Sequence, residues 1–211
     1  MTELQEREKG AAASRRAQGS RTRSTILDHA VQIASVEGLD GLSIGRLASD
    51  LGMSKSGLFA HFGSKEDLQI ATIGAAREIF IDEVTGPARR AESGLPRLRK
   101  TTELFLSYSR KRVFPGGCFF AQAASEFDSR PGPVRDAISH HLREWIEHLE
   151  RTCRIAVEKG QLRPETDPRR LAFEIQALLD LANSRSVLFD DNRVYALARR
   201  AITDRLDAVQ T

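Results

Sequence analysis

The chain has 211 residues, 40% hydrophobic and 29% charged, as expected of a soluble globular protein with enough apolar material for one large or two small cores. No apolar run reaches the roughly eighteen residues of a membrane span, and two cysteines, Cys118 and Cys153, are too few for a disulfide framework and fit a reducing compartment. The formal net charge of +3 permits nucleic-acid binding without arguing for it, so local charge must carry that point.

Residues 1–20 mix Glu, Arg, Gln, Ala and Gly without a sustained apolar stripe and read as a disordered tail. Arg15, Arg16, Arg21 and Arg23 make the end of this region basic. That fits an arm following phosphates or entering the minor groove, and equally a solvated tail. The N-terminus lacks the apolar core of a signal peptide, so a cytoplasmic location is expected.

From Arg23 to Glu37, Ile26, Leu27, Ala30, Val31 and Ala34 form a helical stripe closed by Gly38. Ile44, Leu47, Ala48 and Leu51 give a short second helix, and Gly52 supplies the tight turn after it. Ser54 and Ser56 can cap a third helix whose Leu58 and Phe62 face the core. Between those anchors lie Lys55, Ser56, Gly57, Ala60 and His61, the small or polar face that a helix entering the major groove requires. Ser64-Lys65-Glu66-Asp67 is a capping-box-like start for a fourth helix, whose N-terminus suits a phosphate.

That helix is expected to run from Lys65 to about Thr85 and to stop at Gly86-Pro87. Leu95, Leu98, Thr102, Phe105 and Leu106 define the next, broken at Pro115-Gly116-Gly117; a short helix from Cys118 to about Phe127 follows. After the turn Ser129–Pro133, Ile138, Leu142, Trp145, Leu149 and Ala156 mark a long helix ending near Gly160. Leu171, Ile175, Leu178, Leu179 and Ala182 mark another, and Val194, Leu197, Ala198, Ala201, Ile202 and Leu206 the last. Nothing alternates with period two, so the expected fold is all-α: a helix-turn-helix domain over residues 21–67 and a helical bundle over residues 68–211.

The stretch Leu42–Leu68, preceded by Ile26-Leu27, Ala30 and Gly38, resembles the DNA-binding domain of the TetR family of bacterial transcriptional regulators over about residues 22–70. The resemblance rests on the Ala48–Gly52 turn spacing, the Ser54–Phe62 segment and the Ser64-Lys65-Glu66 entry to the fourth helix. It implies a dimer on double-stranded operator DNA, released by a small-molecule effector held in the bundle. It further implies phosphate contacts from Ser43, His61 and Lys65, a groove-facing set of Lys55, Ser56, Gly57 and Phe59, and backbone or base contacts from Arg46. Phe59 stands where the family usually has Tyr, so one hydroxyl hydrogen bond is missing; Gly45 has no side chain with which to read a base.

Candidate pocket residues in the bundle are Phe105, Tyr108, Cys118, Phe119, Gln122, Phe127, Trp145 and Leu178, although the same residues would serve a core. Only Glu126 and Glu144 stand out there as acids able to pair with a cation, so an apolar, neutral or anionic effector is expected. Cys118 is a thiol sensor only if its pKa is lowered at the helix start. The last two stripes, Leu171, Ile175, Leu178 and Leu179 with Leu197, Ala201 and Ile202, suit a two-fold dimer interface, or a monomer core.

A rival reading uses His141, Glu144 and His148, spaced i, i+3 and i+7, as a metal or catalytic face. One face of one helix rarely closes a metal site, and no second catalytic group has a recognisable spacing. Neither a cofactor nor an enzymatic activity is therefore expected. A third possibility, a constitutive DNA-organising protein, would have a solid bundle where a regulator has a cavity.

Overall fold

The structure, a computed structural model, describes residues 3–211, with side chains from Ala17 onward. Helix α1 spans Glu3–Glu37, so the segment read as a disordered tail is helical from Glu3. The residues before Ile26 are rich in Ala, Glu, Gln, Arg and Lys, strong helix formers that carry a helix without any apolar stripe. Arg15 and Arg16 of the basic run lie outside the described side chains. Arg21 is exposed, whereas Arg23 lies over the Phe62 ring at 4.5 Å and so belongs to the domain's packing. Gly38 ends α1 at φ +81°, its N–H donating to the Ala34 carbonyl at 3.0 Å.

Three serine-capped helices follow: α2 (Ile44–Asp50), α3 (Lys55–Phe59) and α4 (Lys65–Phe80). Ile26, Ala30, Val31, Leu47, Leu58 and Leu68 are each wholly buried and form the core of this unit. The chain does not stop at Gly86-Pro87 as expected. Ile81–Thr85 is π-helical and passes into a last turn, α5 (Gly86–Ala88). Proline is tolerated in a first turn, where its missing N–H needs no partner.

The bundle consists of α6 (Leu95–Arg110), α7 (Phe119–Phe127), α8 (Pro133–Glu158), α9 (Pro168–Leu188) and α10 (Val194–Asp207). Helix α9 packs on α6, α8 and α10, while α7 lies between α1 and α8. Among the described residues there is no strand, only one bridge between Leu162 and Gln210. No helix there is long and apolar enough to cross a membrane.

Four of the residues expected at a dimer interface are core residues of the monomer instead: Leu171, Ile175 and Leu179 are 0% exposed and Ile202 is 2% exposed. Leu178 and Ala201 are half-buried, and Leu197 is exposed. The outward face of α9 carries Phe173, Leu181 and Leu188. Both faces of α9 are apolar, and periodicity alone marked the inner one.

A buried polar network that the sequence reading missed joins four elements. Asn183 Oδ1 on α9 accepts hydrogen bonds from Ser109 Oγ on α6 and from the Cys118 amide at the head of α7, both at 2.8 Å. The Tyr195 hydroxyl on α10 bonds Ser109 and Ser186 at 2.8 and 2.7 Å.

Candidate functional site

The first candidate surface is the face of α2–α4. Ser43, Ser54 and Ser64 each cap a helix, accepting from the amides of Arg46, Gly57 and Asp67 at 3.2, 3.0 and 3.0 Å. Ser43 is exposed and holds α2 at the surface. Capping α3 at Ser54 turns Leu58 and Phe62 inward and leaves Lys55, Ser56 and Phe59 exposed, with Gly57 and His61 half-buried beside them. The face is therefore as small and polar as expected, with one ring, Phe59, standing 49% exposed at its centre. Gly45 has a positional use: a Cβ there would meet Lys55 Cε at 3.2 Å, so its absence lets the lysine stem lie across α2.

Two of the cations expected to face DNA are paired within the protein. Arg46 donates to Glu37 at 2.5 Å and approaches Asp50 at 3.6 Å. The hydrogen bond to Glu37 holds its guanidinium above the usual arginine range. Its ties are to the end of α1 and to its own helix, and its side chain is 48% exposed. Lys65 Nζ donates to the Asp40 carbonyl oxygen at 2.7 Å and lies 3.4 Å from Asp40 Oδ1. Arg130, in the loop after α7, pairs with Asp40 at 2.5 Å and is the main cause of the lowered Asp40 pKa.

The same loop of the DNA-binding unit is clamped by α7. Both carboxylate oxygens of Glu126 are used, accepting from the Leu39 and Asp40 amides at 2.8 Å each. Gly116 sits so close to α1 that a Cβ would overlap the Ser35 carbonyl oxygen. Helix α7 and its flanks thus grip the end of α1 from the bundle side.

The second candidate surface is a cavity of about 420 Å³ in the bundle. Its walls are Phe80, Phe105, Phe120, Trp145 and Leu142, with Cys118, Ala121 and Ala124 from α7. Its polar lining is His141, Gln176, Asp180 and Ser184. The rings are mutually braced: Phe80 stands edge-on to Trp145 at 5.1 Å, Phe105 stacks on Trp145 at 5.7 Å, and His141 stacks on Phe120 at 3.5 Å. Of the residues expected to line a pocket, Phe105, Cys118 and Trp145 do so. Tyr108, Phe119 and Phe127 are packed in the core, Gln122 is exposed, and Leu178 is half-buried away from the cavity. Phe80 and the α9 residues escaped because nothing in their local spacing distinguishes a cavity wall from a core face.

Burial pushes the Cys118 thiol up, which is the reverse of what a thiolate sensor needs. Burial lowers His141 and His148 to about 4, so both rings are neutral. Glu144 is held bidentately by Arg77 at 2.9 and 3.1 Å, which keeps its carboxyl below the usual range. The metal reading built on these three residues therefore loses its carboxylate to an arginine, and no metal-ligand cluster occurs among the described residues. The two acids that set the expected effector charge, Glu126 and Glu144, are both committed elsewhere. Asp180 is the acid in the cavity, so the basis for a neutral or anionic effector falls away. A smaller cleft of about 240 Å³ lies across the Phe80–His141–Trp145 wall, lined by Arg77, Arg89 and Arg151 with Glu144, Glu147 and His148.

The comparisons agree with this architecture. No curated protein matches the chain in sequence. A regulator of the TetR type from Chloroflexus aurantiacus, 23% identical, superposes with a TM-score of 0.85 over 92% of this chain and 98% of its own. AibR in complex with isovaleryl coenzyme A and operator DNA, 22% identical, gives 0.64 over 77% and 86%. A transcriptional regulator from Saccharomonospora viridis in complex with choline, 22% identical, gives 0.76 over 89% and 96%. At these identities the likeness speaks for the fold. Residues 26–72 match the family described as bacterial regulatory proteins, tetR family, and residues 94–202 match the tetracyclin repressor-like C-terminal domain. Those two matches take in the capped helices of the DNA-binding face and most of the bundle around the cavity, and the chain belongs to the tetR family of bacterial transcriptional regulators.

Proposed function

We propose that the protein is a cytoplasmic, homodimeric repressor that leaves a palindromic operator when a largely apolar small molecule enters the bundle. It works by binding alone, without a cofactor or a catalytic step. Residues 21–67 serve as the DNA-binding domain and residues 68–211 as the effector and dimerisation domain. On DNA, α3 lies in the major groove with Lys55, Ser56, Gly57 and Phe59 toward the bases. Ser43, His61 and Lys65 contact phosphate, while Arg46 acts chiefly as a brace.

The observation that carries this reading is the double role of α7. Cys118, Phe120, Ala121 and Ala124 line the cavity, and Glu126 on the same helix clamps the Leu39 and Asp40 amides. A ligand that displaces α7 therefore acts directly on the DNA-binding unit, the differential contact that coupling between two sites requires. The co-complexes of AibR and of the Saccharomonospora viridis regulator support a bound small molecule on this fold. Their ligands differ, so neither identifies the effector of this chain.

The test is footprinting of the protein on the DNA flanking its own gene, followed by competition with small molecules. Saturable protection of a palindrome, lost over the concentration range in which Trp145 emission changes, is the expected result. Protection that no ligand of the cavity alters would leave a constitutive DNA-binding protein.

A further inference from the structure

We propose that the bundle cavity is a receptor for an organic cation, a quaternary or protonated amine on an apolar body, with Asp180 as its counter-charge. The inference rests on reading the cavity as the effector site and adds the chemical class of the ligand.

No Lys or Arg lines the cavity. Its one imidazole, His141, is neutral because burial lowers it to about 4. Asp180 is the only acid that lines the cavity, and no salt bridge reaches it among the described residues. A half-buried carboxylate without a cation is costly, and proteins ordinarily pair such groups. Burial pushes the Asp180 carboxyl up, as expected of a charge short of partners.

The hydrogen bonding leaves one oxygen of this carboxylate available to a partner. Trp145 Nε1 donates to Gln176 Oε1, and Gln176 Nε2 donates to Asp180 Oδ2 at 2.7 Å. That relay occupies one carboxylate oxygen and orients the side chain. Oδ1 has no hydrogen-bond partner among the described residues. The same cavity is walled by the rings of Phe80, Phe105, Phe120 and Trp145, and the electron-rich face of such a ring attracts a cation without demanding hydrogen bonds from it. An anion would meet an uncompensated carboxylate here with no positive group to offset it. The volume of about 420 Å³ is within the roughly 300–1,000 Å³ of small-molecule sites.

The probes are benzyltrimethylammonium and neopentylbenzene, its uncharged isostere with carbon in place of nitrogen, titrated into the full-length protein with Trp145 emission as the readout. Trp145 is the only tryptophan and borders both the cavity and the neighbouring cleft, so the Asp180 variants assign its signal to the cavity. The cation should bind the wild-type protein at least about tenfold more tightly than the isostere. Asp180→Asn should remove that preference, and Asp180→Glu, which keeps the charge, should retain most of it. Equal binding of the two probes to wild-type protein overturns the proposal without recourse to any variant, as does an Asp180→Asn protein that melts cooperatively and still prefers the cation. Release of the operator fragment is scored separately. A cation that binds through Asp180 without releasing DNA supports the receptor and refutes the regulatory reading. Release by neutral ligands alone, with no cation preference, does the reverse.

Discussion

At the scale of single residues, Lys65 has one partner in the structure and another in the proposed complex. In the free protein it donates to the Asp40 carbonyl; on DNA it would turn to a phosphate at the capped start of α4. Lys65→Ala should weaken binding to all DNA sequences alike and lower the salt dependence by about one unit for each phosphate contact removed. Affinity measured from low to moderate salt decides this, and an unchanged slope would make Lys65 a latch on Asp40 only. The outward face of α3 was readable in sequence because its logic is local: Ser54 caps, Leu58 and Phe62 anchor, and the residues between face out. The ion pair of Arg46 was not legible because its partner, Glu37, sits at the end of another helix, and a 2.5 Å contact between them leaves no trace in local spacing. Asp180 was missed for a similar reason. One acid on an amphipathic helix gives no sign that it looks into a cavity.

At the scale of elements, the existence and order of the helices followed from period and punctuation. Their exits and partners did not. Helix α1 was cut short because its first half lacks an apolar stripe, although its composition favours helix. The passage from α4 through a π-helical segment into α5 was hidden because Gly-Pro reads as a stop, while the tertiary fold uses Pro87 in a first turn. The junction at Asn183 shows how one buried side chain can locate several elements. Its Oδ1 receives a hydroxyl from α6 and a backbone amide from the head of α7. Asn183→Ala should leave the buried Cys118 amide unsatisfied and remove one bond of Ser109, cost about 2–4 kcal/mol and lower the melting temperature by several degrees. Gly117→Ala would press on the same atom, since a Cβ there meets Asn183 Oδ1 at 2.7 Å in a backbone held at φ +92°.

At the scale of the whole molecule, two properties follow. The outward apolar face of α9, with Phe173 at 74% and Leu188 at 76% exposed, and Leu197 on α10 at 65%, offers the surface a two-fold interface needs. Leu197→Asp should give folded monomers by sedimentation or light scattering. Ile202→Asp should instead unfold the chain, because Ile202 is 2% exposed within the monomer and its substitution buries an unpaired charge. A Leu197→Asp dimer that persists would move the interface elsewhere. The second property is acid sensitivity. His141 and His148 are lowered to about 4 by burial, against about 6.5 when unfolded. Above pH 6.5 both states are neutral and the pair contributes no pH dependence. Between about 6.5 and 4 the unfolded chain binds protons that the folded chain refuses, so stability should fall by about 1.4 kcal/mol per pH unit per histidine. Melting curves over that window check it, and replacing both histidines with Gln should flatten the decline. The carboxylates held low by arginine, Asp40 and Glu144, begin to lose their contribution as pH falls through their ordinary values of 3.8 and 4.5.

Helix α4 starts at the Ser64 cap, next to the recognition helix, and ends at Phe80 in the cavity wall. At about 1.5 Å per residue its 16 residues form a rigid rod about 24 Å long. A tilt of about 10° pivoting at Phe80 carries the far end about 4 Å, and the opposite swing in a second protomer doubles the change in span. Half-sites about 34–36 Å apart tolerate little of that. Amplification along a rod of this kind means that a ligand need not move the helix bodily: a small change of its angle at the cavity end would become a misfit with the groove at the other end.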